Sequence, residues 1–369
     1  MSNNDFTDRQ LKILALAPRV AACISLLCAV HMGRFCWKSR DRLYHRLMLC
    51  LSAHLVLFSI WTLYGSAAIP PDARTWGGYG SIATCTAQGF FMQISLAIPF
   101  YYVCLSIYSF LAVRHRFDVS KYAWIEKWIH IGVHVFPIGS AFYLWHARAL
   151  NPGISVCWIE SVPYGCGTDD LPCTRGPDNI FLVALICAGL PAFVCLILPT
   201  TVMICLYRET KFTHNAQQTR MVAHQAALYL CALYWSYVFN IINCCLWWVR
   251  NEQVFSTTLL SSININLLGV WILGIYLYFS NVPTTPTIRP HQDQTNNATK
   301  GDETSSQLQG EASSLDLGKP STRQKNSFNI FDGTNATGEY ADFIYEGDSE
   351  DLQNDRQESM RWATIQDHV

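Results

Sequence analysis

Few residues in this chain stand in an arrangement that could do covalent chemistry. His130 and His134 are four apart, a spacing that sets two imidazoles on one helix face as metal ligands. No carboxylate or third ligand is read beside them on that helix, so packed or hydrogen-bonded histidines are expected. The chain has no phosphate-cradling glycine loop, no His-Glu-x-x-His and no paired carboxylates within an apolar stretch. Its long apolar stretches offer amides instead: Gln88, Gln93, Asn240, Asn243, Asn264 and Asn266. Amides bond between helices or to a ligand, whereas a proton or ion pump wants acidic groups mid-membrane. The expectation is a protein that is not an enzyme and that holds no cofactor or metal. A retinal protein would need a lysine on its seventh helix, and the last apolar stretch has none.

These residues sit on elements that composition identifies. Of 369 residues, half are apolar and 14% are charged, against about a quarter in a soluble domain; mean hydropathy is +0.15. The net charge of −1 is a cancellation. Residues 1–280 hold 19 Lys/Arg and 12 Asp/Glu, while residues 281–369 hold 7 and 15. A bilayer core about 30 Å thick takes roughly 20 apolar residues of helix, and buried backbone demands helices there. Seven runs qualify: 11–33, 44–68, 86–113, 122–145, 179–207, 221–249 and 256–280. Pro18, Pro99, Pro137, Pro191 and Pro199 lie inside them, and kinks are predicted at Pro137 and at Pro191/Pro199. The fold expected is an all-α membrane protein: a seven-transmembrane-helix bundle over 1–283 and a disordered acidic tail over 284–369.

Charge sets the expected orientation. The gaps after runs one, three and five, together with the first residues of the runs that follow, carry twelve Lys/Arg, Arg46 and Lys127 among them, and those after runs two, four and six carry four. The positive-inside rule then puts the N-terminus outside and the tail in the cytosol. The start of the chain is polar, and no cleavable signal peptide is apparent in it. Arg19, inside the first run, reads as a cation snorkelling to the interface. All 15 cysteines fall between Cys23 and Cys245, and four of them face outside: Cys85, Cys157, Cys166 and Cys173. An even count in an oxidising compartment predicts disulfides. Three pairings are open. A Cys85–Cys157 bond would pin the long loop over the bundle and leave Cys166 and Cys173 to close a small loop.

This pattern resembles a G-protein-coupled receptor, and its finer motifs are similar to the cyclic-AMP-receptor-like, secretin-like-related branch known from slime moulds. The residues that carry the likeness are Cys104 to Arg116 at the end of the third run, Cys157-Trp158-Ile159 in the loop, Tyr229 to Asn243 in the sixth run, and Gly269-Val-Trp271 with Tyr276, Tyr278 and Asn281-Val-Pro283 in the seventh. The likeness covers most of 10–283 and none of the tail. An Asp-Arg-Tyr box and an Asn-Pro-x-x-Tyr motif are absent, which sets the chain apart from the rhodopsin-like class.

The resemblance implies a plasma-membrane receptor that binds an extracellular ligand and activates a heterotrimeric G protein, with no nucleic-acid partner. Ligand-pocket candidates are Gln88, Gln93, Trp61, Tyr64, Trp247, Trp248 and Asn264; coupling candidates are Arg114, Arg116, Arg208, Lys211 and Arg220. Ser313, Ser314, Ser327 and Ser349 lie among charges in the tail and read as kinase substrates, whose phosphates could recruit an arrestin-like partner. Asn297-Ala-Thr and Asn335-Ala-Thr match the glycosylation pattern but would face the cytosol unmodified. The rival expectations are a transporter or channel, and a non-signalling heptahelical scaffold.

Overall fold

A computed structural model describes residues 6–280, apart from 74, 117, 119–120, 164–165, 168–170, 211–215 and 251–252. The predicted tail with Ser313, Ser314, Ser327 and Ser349 lies outside the described residues, as do Lys211 and the side chains of Trp247 and Trp248. The chain is mostly helical. In order come α1 (Asp8–Lys38), α2 (Leu43–Tyr64), α3 (Ile82–Ile94), α4 (Ala97–Arg114), α5 (Ile125–His146), the strands β1 (Leu150–Pro152) and β2 (Cys157–Ile159), α6 (Ile180–Ala184), α7 (Leu190–Thr210), α8 (Ala216–Arg250), α9 (Phe255–Asn266) and α10 (Leu268–Ser280).

Among the described residues five helical stretches are long and apolar enough to cross a membrane, and the bent pair α9–α10 adds a sixth when taken as one span. At 22 residues α5 is long enough but is not among them; Glu126, Lys127, His130, His134 and His146 lie along it. Apolar surface points outward along these helices. On α1, Ile13, Leu16, Val20, Ile24 and Leu27 form an exposed stripe at helical spacing, with Leu27 67% exposed. Such a stripe is unfavourable against water and neutral against lipid tails. The protein is membrane-embedded.

Three of the seven predicted runs are interrupted, each for a local reason. The run 86–113 breaks at Ser95 and Leu96, between α3 and α4. Pro99 has no N–H for the Ser95 carbonyl and its ring crowds that group; the carbonyl accepts from Ile98 instead, in a tighter turn. The run 179–207 contains a π turn at Leu185–Gly189 just before Pro191. The run 256–280 bends by 45° between α9 and α10. There the Gly269 N–H leaves the helical ladder and donates to Ser25 Oγ of α1 at 3.1 Å. A Cβ on Gly269 would lie 2.5 Å from that oxygen, so this crossing requires glycine.

The main core lies where α2, α4, α8 and α10 meet, around Leu47, Leu51, Tyr101, Tyr102, Leu105, Leu233 and Ile272. Arg19, expected to reach the interface, meets the end of α2. Its guanidinium donates to the Tyr64 carbonyl and to Ser66 Oγ, closing the C-terminus of α2, where a cation also meets the negative end of the helix dipole. Gly65, at φ +50, makes room for it: a Cβ there would stand 2.7 Å from Arg19 Nε.

Candidate functional site

The stretch from α3 to α4 is one kinked rod, and a polar cluster is built at each of its ends. The first cluster surrounds the disulfide Cys85–Cys157, which ties the start of α3 to β2. A second disulfide, Cys166–Cys173, closes the small loop. Of the three pairings open from sequence, this is the one formed. β1 and β2 pair antiparallel, Asn151 facing Trp158, and the hairpin lies against α3 at Gly89, where a Cβ would come within 3.1 Å of Leu150.

Two fully buried glutamines clamp the hairpin to the rod. Gln88 donates to the Trp61 and Gly65 carbonyls and accepts from the Cys157 N–H at 2.7 Å. Gln93, one and a half turns on, donates to Ser140 Oγ and to the Cys187 carbonyl, and accepts from Trp158 Nε1 at 2.9 Å. Pro191 explains the Cys187 bond. Having no N–H, it leaves the carbonyl four residues back without a helical donor, and Gln93 supplies one.

The glutamines named as pocket candidates thus use both amide hydrogens and the carbonyl oxygen within the protein. Trp61 stacks on Phe91, ring centroids 5.0 Å apart, with Tyr64 edge-on to it. Asn264 is buried on α9 and makes no side-chain hydrogen bond among the described residues. The structure brings Gln88, Trp61 and Tyr64 together. Two hollows at this end are lined by other residues, one around Ser140, Leu182 and Cys187 and the other around Phe90, Phe142 and Arg148.

Glu160, just after β2, adds a titrating group to this end. Burial pushes its carboxyl up to about 7, against a smaller opposing effect of the Ser161 N–H. Its backbone is held by the Ala149 carbonyl and by Asn151 Nδ2.

At the other end of the rod the tips of α4, α7 and α8 meet. Arg114 pairs with Glu209 of α7 at 3.2 Å and lies over the Phe110 ring. Arg116, Arg208 and Arg220 are exposed on the same three tips, so four of the five coupling candidates share one end. Beneath them is a buried polar triad. Gln225 of α8 donates to the Tyr44 hydroxyl of α2, which shares a 3.0 Å hydrogen bond with the Tyr229 hydroxyl one turn along α8. Arg46 at the start of α2 grips Glu126 of α5 with two bonds and donates to the Arg40 and Asp41 carbonyls as well.

Tyr44, Gln225, Glu126 and Glu209 were not singled out in the sequence. The Gln225/Tyr229 spacing of four was the one available signal; the rest depend on contacts between distant segments. The histidines are hydrogen-bonded, as expected, but a carboxylate on their own helix, Glu126, does accompany them. It stands one turn before His130, its Oε1 3.9 Å from Nε2. His130 Nδ1 meets the Tyr101 hydroxyl, and His134 Nε2 meets His54 Nε2 of α2, each at 3.0 Å. No group of three metal-ligating side chains occurs among the described residues.

The chain matches no protein-family model, and no curated protein is significantly similar to it.

Proposed function

We propose that this chain is a seven-transmembrane receptor that binds a ligand at its disulfide end, facing outside, and activates a heterotrimeric G protein at its arginine end, facing the cytosol. In this reading α5 is the fourth span and the bent α9–α10 pair the seventh. The basic tips of α4, α7 and α8 then obey the positive-inside rule, and the disulfides lie in the oxidising compartment.

One observation carries the reading. The rod α3–α4 is fixed at one end to a disulfide-pinned hairpin by Gln88 and Gln93, and at the other to the neighbouring helix tip by Arg114–Glu209. A ligand that moves the hairpin acts on the same rod whose far end holds the tips together. Receptor action is a population shift: ligand favours a packing in which the tips part, and the partner binds the space between them. Arg114, released from Glu209, would meet the G protein.

Full-length protein reconstituted with G protein tests the assignment of the coupling residues. Arg114→Ala with Arg116→Ala is expected to abolish activation at equal surface expression. Full activation by that double variant contradicts the assignment.

A further inference from the structure

One groove has features that the receptor reading does not use. It lies between the Ile82 end of α3 and the His146 end of α5, encloses about 940 Å³, and has Phe90, Phe142 and Trp145 on its walls with Arg148 and Arg175 at its head. Phe90 and Phe142 meet edge-to-face at 5.2 Å, and Phe142 and Trp145 at 6.3 Å.

The head is cationic. Arg175 is held by Asn151 Oδ1 and by Thr86 Oγ1, and among the described residues its fork has no further side-chain bond. Neither Arg175 nor Arg148 has a carboxylate partner among the described residues. Burial, and then the like charge of Arg148, lower the pKa of Arg175, so an anion between them relieves a repulsion. Arg148 also sits where an arginine is costly. It follows the C-terminus of α5 at φ +53, with its N–H on the Trp145 carbonyl and the next N–H on the Leu144 carbonyl. Glycine fills such a left-handed turn most readily.

The walls show where the anion comes from. On α5, Ile131, Val135, Ile138, Phe142 and Trp145 are all exposed, from 37% to 64%, at spacings of four and three that make one stripe. That stripe runs from the middle of the helix into the groove. Aromatic rings next to arginines at the end of an apolar stripe mark the headgroup depth of a bilayer.

We propose that this groove binds an anionic phospholipid, its phosphate between Arg148 and Arg175 and an acyl chain along the Phe142–Trp145 stripe. The proposal needs a membrane-embedded chain and is independent of receptor activity.

The test is native mass spectrometry of the full chain in mild detergent, with equal dioleoyl phosphatidylglycerol and dioleoyl phosphatidylcholine. Wild type should retain phosphatidylglycerol preferentially. Arg148→Gln should cut that preference roughly fivefold, the effect of one basic residue near a lipid surface, while Arg148→Lys keeps most of it. Arg148→Gly should lose the preference equally, yet be at least as thermally stable without lipid as wild type, which separates lipid binding from folding. Excess inorganic phosphate should leave the lipid bound. Equal retention of the two lipids by wild type, or unchanged preference in both Arg148→Gln and Arg148→Gly, overturns the proposal. Displacement by phosphate also overturns it, in favour of a water-borne anion.

Discussion

Gln93 illustrates how a polar side chain can belong to the architecture. It bonds Ser140, Cys187 and Trp158 at once, so Gln93→Leu leaves the Cys187 carbonyl and Trp158 Nε1 without that partner, while Ser140 Oγ keeps its bond to the Pro137 carbonyl. A thermal unfolding series in detergent should show a loss of at least about 2 kcal/mol, since each buried orphan costs about 1–3. Stability equal to wild type would mean that water or another side chain fills the role. Glu209 tests the opposite end. Its pair with Arg114 is half-exposed, and such pairs contribute about 0.2–1 kcal/mol. If the pair holds the tips together, Glu209→Gln raises ligand-free nucleotide exchange by a factor of roughly 1.5–5; a fall in basal exchange contradicts that role. Residue types in the sequence pointed to Gln88, Gln93 and Arg114, but not to what they bond. Their partners come from segments tens of residues away, and no periodicity records those meetings. His130 is hydrogen-bonded as expected, with one overlooked neighbour, Glu126.

At the scale of elements, runs of apolar residues were legible and their breaks were not. A hydropathy pattern sees Pro99 and Gly269 as tolerable single residues. The structure shows why the first ends α3 and the second lets α10 touch α1. Just before Pro191 the helix makes a π turn, and a glutamine from another helix donates to a carbonyl within it. The hairpin is the element most open to test. The Cys85–Cys157 bond closes a separation of 72 residues and Cys166–Cys173 one of 7, so loop-closure entropy assigns about 4 and about 2.5 kcal/mol to them. Cys85→Ser should therefore destabilise more than Cys173→Ser and expose the β1–β2 loop to protease; the reverse order would argue that the hairpin is held mainly by the glutamines. Glu160 makes the same element sensitive to pH. Its folded-state pKa of about 7 lies above the ordinary carboxyl value, so its contribution is full below about 4.5 and is lost as pH rises through about 7. Wild type should lose thermal stability over that window relative to Glu160→Gln, measured by tryptophan fluorescence. Identical profiles would place Glu160 in contact with water.

For the whole molecule, the net charge of −1 cancels a basic 1–280 against an acidic 281–369. The basic residues gather on the tips of α4, α7 and α8, opposite the disulfide-bonded hairpin. Composition alone made the membrane legible, because no soluble fold exposes stripes like those of α1 and α5. Function was less legible, because in the proposed reading the chemistry is a difference between two packings rather than a set of reactive groups. The most direct measurement is nucleotide exchange on heterotrimeric G proteins by the full chain in liposomes, across a ligand library that includes cyclic nucleotides. The receptor reading predicts that at least one ligand accelerates exchange, and that reduction of Cys85–Cys157 abolishes the response. No acceleration by any ligand on any G protein, or ion flux through the same liposomes, would contradict it.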